Sequence, residues 1–196
     1  MARLSTSPQL VMVAGVNGAG KSTITARLRQ SPGFPSNYIN PDEIALTLTD
    51  IADPAERAYT AAKKADLQRE NLLEALESMA FETVMSHPSK VEFIQKAKNA
   101  GYYVQLVFVC LSSSELSFQR VSQRVQRGGH NVPREKIIAR YDRVMALLPA
   151  ALQVADQTLI FDNSNNLTQA KLVLSFNNGQ VGYKSINLPE WLSYLL

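Results

Sequence analysis

Short apolar runs rich in β-branched and aromatic residues alternate along the chain with stretches of helical spacing. The apolar runs predict five strands, at residues 10–14, 38–40, 79–85, 104–111 and 158–161. Such alternation is typical of a parallel sheet with helices on both faces, which also accounts for the nearly continuous apolar character of the strands. The pattern therefore predicts a three-layer α/β fold with a mostly parallel five-stranded sheet.

Helix-start signals follow several of these strands. Asn40-Pro41-Asp42-Glu43 offers a capping side chain, a proline at the first helical position and carboxylates in the first turn. Asp53-Pro54 repeats the signal and opens a stretch that we expect to be helical as far as Ala80. Two further helices are expected at 113–127 and 133–148, joined by a flexible glycine corner at 128–131.

The C-terminal part changes character. Residues 171–176 and 180–186 carry strand formers, and Asn178-Gly179 between them is a strong hairpin-turn signal. We expect a β-hairpin and a short helix, at about 171–196, as an appendage to one domain that spans 1–196.

Composition narrows the class of protein. A chain of 196 residues that is 45% hydrophobic can bury one sizeable core, and its net charge of +3 selects no partner. Cys110, the single cysteine, is expected to be a buried structural thiol, and two histidines with one cysteine exclude a convincing zinc site. No apolar run reaches 18 residues and residues 1–8 lack an apolar signal core, so we expect a cytoplasmic protein without a membrane partner.

Residues 15–22 read Gly-Val-Asn-Gly-Ala-Gly-Lys-Ser, the phosphate-binding pattern G-x-x-x-x-G-K-[ST], between a predicted strand and a predicted helix. Glycines let consecutive backbone N–H groups converge on phosphate oxygens, and the helix adds the positive end of its dipole. Lys21 is expected to reach the β- and γ-phosphates and Ser22 to ligate Mg²⁺, so the motif predicts ATP or GTP with Mg²⁺ as cofactors. The expected nucleotide-binding residues are Gly15, Asn17, Gly18, Ala19, Gly20, Lys21, Ser22 and Thr23.

Two carboxylates are candidates for the chemistry. Asp42 follows the second predicted strand, and Glu82 lies within the third. Asp42 is the candidate general base that would deprotonate an acceptor hydroxyl, although a helix-start carboxylate can also serve the helix dipole alone. Glu82 lies among apolar strand formers, where a carboxylate is costly without a partner. It could contact the acceptor, position Mg²⁺, pair with an arginine or lie exposed at the strand end. Thr83 and Ser86 are candidate contacts of the acceptor.

A basic cluster surrounds the glycine corner. Arg120, Arg124 and Arg127 share one helix face, and Arg140 and Arg143 follow the corner. The two helices, at about 113–148, could close as a lid that brings arginines onto the transferred phosphate, with His130 as a possible phosphate contact. A solvated basic surface or a nucleic-acid patch is the alternative. Only Phe118 and Tyr141 are nearby rings, so nucleic acid is not the expected partner.

One expected feature is absent from the strand at 104–111. It ends in Cys110-Leu111-Ser112 and lacks the aspartate that many phosphate-loop NTPases use as a second magnesium ligand. This absence argues against motors, transporters and GTPases and favours a small-molecule kinase.

Between residues 11 and 148 the motifs together resemble the zeta toxin family of bacterial phosphotransferases, in particular its short zeta-like ATPase branch. They are residues 15–23, 40–45 and 81–83, the arginines around 128–133, and Arg140, Tyr141 and Arg143. The resemblance implies a P-loop fold of nucleotide-kinase type, an antitoxin partner, and phosphorylation of the amino-sugar 3'-hydroxyl of UDP-N-acetylglucosamine. A non-toxic metabolic kinase remains an alternative.

The resemblance also implies roles for individual residues. Lys21 and Ser22 would serve nucleotide and Mg²⁺, Asp42 would be the base, and Glu82 and Thr83 would lie in the acceptor site. The family places two phosphate-stabilising arginines about thirteen residues apart. Arg127 and Arg140 have that spacing, while motif alignment favours Arg124 in place of Arg127. The segment after Thr83 lacks the family's arginine, a departure that concerns the acceptor.

Overall fold

The apolar runs form the centre of a seven-stranded sheet. A computed structural model describes residues 7–129, 131–165 and 169–195. The strands are β1 (Gln9–Gly15), β2 (Asn37–Ile39), β3 (Met79–Thr83), β4 (Tyr103–Cys110), β5 (Gln157–Asp162), β6 (Lys171–Asn177) and β7 (Gln180–Lys184). Their order in the sheet is β2-β3-β1-β4-β5-β6-β7, and the first five run parallel.

Helices connect the parallel strands and cover them. They are α1 (Lys21–Leu28), α2 (Pro41–Thr47), α3 (Pro54–Glu74), α4 (Ser89–Asn99), α5 (Ser114–Gln126) and α6 (Arg134–Val154), and a 3₁₀ helix (Glu190–Leu195) ends the described chain. Successive side chains of a strand point to opposite faces of the sheet. On β3, Phe81 packs edge-on against Phe93 of α4, while the next residue, Glu82, reaches Ser22 of α1. Helices therefore lie on both faces, which gives the three layers that the sequence predicts.

The predicted helix starts are confirmed. Asn40 Oδ1 accepts a hydrogen bond from the backbone N–H of Asp42 at 2.9 Å, and Asp53 Oδ2 accepts one from Glu56 at 2.9 Å. The predicted end of the long helix at Ala80 is wrong. α3 ends at Glu74 and Leu76 turns the backbone with a φ of 54°, because Met79 and Ala80 are fully buried in β3 beside β1.

The C-terminal hairpin is part of the sheet and not an appendage. β6 pairs antiparallel with β5, and β7 pairs antiparallel with β6. Val173, Leu174 and Phe176 of β6 belong to the same buried core as β1 and β4. The sheet is therefore two strands wider than the five predicted, and in the described residues no helix is long and apolar enough to cross a membrane.

Candidate functional site

The phosphate-binding loop connects β1 to α1 through three glycines with positive φ. A Cβ at Gly15 would lie 1.9 Å from the Val109 carbonyl oxygen, and one at Gly20 would lie 2.7 Å from Asn163 Nδ2. Gly18 has a φ of 70° and packs against α5. The backbone N–H groups of Gly18, Gly20, Lys21 and Ser22 have no hydrogen-bond partner within the described chain. The loop is thus a set of free donors at a helix N-terminus, which suits an anion.

Neighbouring elements hold this loop from two sides. Ser117 of α5 donates a hydrogen bond to the backbone oxygen of Asn17, and Asn163, directly after β5, donates from Nδ2 to the Ala19 oxygen at 2.8 Å. The Oδ1 atom of the buried Asn17 has no partner among the described residues. The sequence analysis identified neither Ser117 nor Asn163 as a residue that contacts the loop. For Asn163 a signal existed, because it directly follows a parallel strand, where ligands of such sheets bind.

Lys21 folds back over the loop. Its Nζ donates to the carbonyl oxygens of Gly15 at 3.1 Å and Val16 at 2.9 Å. Burial lowers the pKa of Lys21 from 10.5 to about 8, an effect that Glu82 opposes and that Arg124 and Arg140 reinforce. Lys21 is therefore a charged group held near a carboxylate and two arginines.

Glu82 is partnered through both oxygens. Ser22 Oγ donates to Glu82 Oε2 at 2.9 Å, and Tyr38 Oη donates to Glu82 Oε1 at 2.8 Å. Burial and the bond to Glu82 raise the pKa of Tyr38, which keeps its hydroxyl protonated as a donor. β3, which neighbours β1 in the sheet, thus places a carboxylate against the hydroxyl of Ser22. Tyr38 carried no recognisable signal in the sequence.

These groups fit Mg²⁺ bound with a nucleotide. A serine hydroxyl that donates its hydrogen bond to a carboxylate keeps its oxygen lone pairs for a cation, and oxygen is the ligand type that Mg²⁺ prefers. No group of three or more His, Cys, Asp and Glu side chains in the described residues could hold a metal ion. The remaining ligands would therefore come from phosphate and water.

Two of the three arginines that are candidates for stabilising phosphate lie near Lys21. Arg124 and Arg140 are both close enough to lower its pKa, whereas Arg127, directly after α5, is not among the groups that shift it. The side chain of Arg124 runs along Gly129, where a Cβ would lie 2.5 Å from its Cγ atom. Arg124 and Arg140 therefore both act electrostatically on Lys21.

The remaining acceptor-side candidates are dispersed along one edge. Arg143 Nε donates to the Ser86 carbonyl oxygen at 3.2 Å, which joins α6 to the segment after β3. Thr83 Oγ1 accepts from the backbone N–H of Met85, whose φ of 49° turns the chain there. His130 lies outside the described residues. Cys110 is fully buried, as expected, and burial raises its pKa to about 12.

Asp42 lies in the first turn of α2, exposed to solvent. Its carboxylate has no hydrogen bond or ion pair with another described residue. The adjacent Glu43 instead pairs with Arg29 at 3.4 Å. Among the described residues, the Asp42 carboxylate is thus exposed and unpaired.

Solved structures share this fold, and a curated relative shares part of the sequence. The chain aligns with the structure of AvrRxo1-ORF1:-ORF2 with ATP at a TM-score of 0.70 and 19% identity, covering 91% of this chain and 61% of that one. It aligns with a structure of the PezAT chromosomal toxin-antitoxin system of Streptococcus pneumoniae at a TM-score of 0.57 and 20% identity, covering 81% and 69%. An uncharacterized protein of Haemophilus influenzae is 25% identical over 131 residues, 67% of this chain and 91% of that protein.

The chain spans about three-fifths of the AvrRxo1 chain, so the resemblance carries the fold and not the activity of that protein. The fold is that of P-loop kinases. The family model for zeta toxins matches residues 2–170, most of the chain and all of the site just described. The chain belongs to the zeta toxin family.

Proposed function

We propose that this protein is a phosphotransferase that uses ATP or GTP with Mg²⁺ and transfers the γ-phosphoryl group to a hydroxyl of a small metabolite. The observation that carries the proposal is the free-donor loop with Lys21, Ser22 and Glu82 at its end. The family membership supports it. A sugar nucleotide similar to UDP-N-acetylglucosamine is the acceptor that the family favours.

Each residue has a defined part in the proposed reaction. The loop N–H groups and Lys21 bind the phosphates, and Arg124 and Arg140 stabilise charge on the transferred group. Bound Mg²⁺ would neutralise negative charge on the phosphates, held in part by Ser22. The acceptor oxygen attacks the γ-phosphorus, the bond to the β–γ bridging oxygen breaks, and the hydroxyl proton passes to Asp42.

The decisive experiment is incubation of the protein with labelled ATP and a panel of nucleotide sugars and dinucleotides. Asp42→Asn is expected to reduce turnover by at least ~10² while leaving ATP affinity nearly unchanged. Glu92→Gln is the matched control, because Glu92 is also an exposed carboxylate in the first turn of a helix, α4. An equal loss of ATP affinity in Asp42→Asn would assign Asp42 to metal binding or structure.

Toxicity and an antitoxin partner are separate parts of the proposal. A toxin of this type is expected to arrest growth on expression, and Lys21→Ala or Asp42→Ala should abolish the arrest. A wild-type protein that transfers phosphate without harming the cell would instead be a metabolic kinase. Co-purification of an antitoxin with the wild-type protein would identify the partner.

A further inference from the structure

The Glu82 carboxylate is fixed from two elements that are distant in sequence. Ser22 at the start of α1 donates to one oxygen and Tyr38 of β2 donates to the other, at 2.9 and 2.8 Å. β2 is only three residues long, and its Tyr38 pairs with Ala80 of β3. The short edge strand thus places one phenol beside the carboxylate that contacts the phosphate-binding loop.

The ring of Tyr38 is itself held in place. The Arg29 guanidinium lies 4.6 Å from its centroid and pairs with Glu43 at 3.4 Å. A stacked arginine restricts the rotation of the ring, and the paired carboxylate restricts the arginine. The Tyr38 hydroxyl therefore approaches Glu82 from a constrained direction.

The orientation of Glu82 matters because of what it does to Ser22. With its Oε2 atom directed at the serine hydroxyl, Glu82 accepts the hydrogen bond from Ser22 and leaves the serine oxygen lone pairs for a cation. Lys21 lies close enough for Glu82 to affect its pKa, so it offers the carboxylate a competing partner. A carboxylate without the Tyr38 bond is free to turn away from Ser22.

We propose that Tyr38 is a positioning residue for the magnesium-bound nucleotide, acting through Glu82 on Ser22. This inference rests on the proposed use of ATP or GTP with Mg²⁺. The contribution of Tyr38 is to hold the Glu82 carboxylate in the orientation that Ser22 requires. Outer-shell partners of this kind typically change metal affinity about 10- to 100-fold, and one further step removed the effect is smaller.

The test is Tyr38→Phe, which removes the hydroxyl and keeps the ring that contacts Arg29. Binding of a fluorescent ATP analogue is titrated with Mg²⁺, and separately measured in EDTA. We expect the apparent Mg²⁺ affinity to fall about 3- to 10-fold, with metal-free nucleotide affinity unchanged within about twofold. Tyr59→Phe is the matched control, because Tyr59 is 61% exposed and contacts Lys63.

A double mutant separates positioning from general damage. In a Glu82→Gln protein the carboxylate is already gone, so adding Tyr38→Phe should produce no further loss of Mg²⁺ affinity. Unchanged Mg²⁺ affinity in Tyr38→Phe overturns the inference, and so does an equal loss of metal-free and metal-bound nucleotide. A wild-type protein that binds no nucleotide removes the proposed function, and the inference with it.

Discussion

Burial of Lys21 lowers the free energy of unfolding by an amount that depends on pH. Its pKa lies at about 8 in the folded chain, against 10.5 for an ordinary lysine, because the ammonium group is desolvated. Below pH 8 the group is charged in both folded and unfolded states, and the folded state carries the full cost of desolvation. Above pH 10.5 it is neutral in both states and the cost is gone.

Wild-type stability should therefore rise relative to Lys21→Met as the pH increases from 8 to 10.5. The change is expected to reach up to about 3 kcal/mol in the free energy of unfolding. Urea unfolding of both proteins between pH 7.5 and 10.5 measures this change. The titration of tyrosines affects the two proteins equally and cancels in the difference. A constant difference for Lys21→Met would contradict the prediction.

Gly15 is required for packing as well as for backbone conformation. Its φ is 145°, and a Cβ would lie 1.9 Å from the backbone oxygen of Val109 on β4. Gly15→Ala must separate β1 from β4 and should lower the free energy of unfolding by about 3 kcal/mol or more. Gly33→Ala is the control, since Gly33 has a φ of 87° but no atom within 4 Å of its Cβ position. The control should lose only about 1 kcal/mol in the free energy of unfolding. Urea unfolding measures both losses, and equal values would contradict the close approach of Gly15 to Val109.

Glu82 shows what the sequence could and could not predict about single residues. A carboxylate among strand formers was expected to have a partner, and the structure supplies Ser22 and Tyr38. The sequence analysis left four possibilities open for Glu82. Whether β3 lies beside β1 depends on strand order, which cannot be read from local hydrophobic patterns.

At the scale of elements, the 3₁₀ helix at the C-terminus connects β5 with α6. Trp191 Nε1 donates to Asp162 Oδ1 at 3.0 Å, and Tyr194 Oη donates to the Met145 oxygen at 2.9 Å. Asp162 directly precedes Asn163, which holds the phosphate-binding loop. The turn signal of Asn178-Gly179 predicted the hairpin, while its docking depends on distant contacts that the sequence does not encode locally.

Trp191 should consequently report on nucleotide binding. It is the only tryptophan of the chain, so its emission can be assigned directly. Nucleotide binding at the phosphate-binding loop is expected to move the segment at Asp162 and Asn163 and to shift the Trp191 emission. A fluorescence titration with Mg²⁺ and ATP measures this, and Lys21→Ala should remove the change. Constant emission in a protein that binds ATP by calorimetry would disprove the coupling.

The whole molecule is built on one continuous sheet, and this has a thermodynamic consequence. The hairpin strand β6 is bonded to β5, and Leu174 and Leu192 are fully buried in the core that also contains β1. An appendage would unfold separately, whereas a shared core makes unfolding cooperative. The zeta toxin motifs end near residue 148, so the motifs alone could not predict that the last fifty residues complete the core.

Urea unfolding should therefore be a single transition for this chain. Far-UV circular dichroism reports mainly on the helices, and Trp191 fluorescence reports on the C-terminal segment. Their midpoints are expected to coincide, and Leu174→Ala, which opens a cavity in β6, should move both midpoints to lower urea by the same amount. The expected loss is about 2 to 5 kcal/mol. An earlier Trp191 transition, or a shift confined to fluorescence, would mean that the hairpin unfolds independently of the parallel sheet.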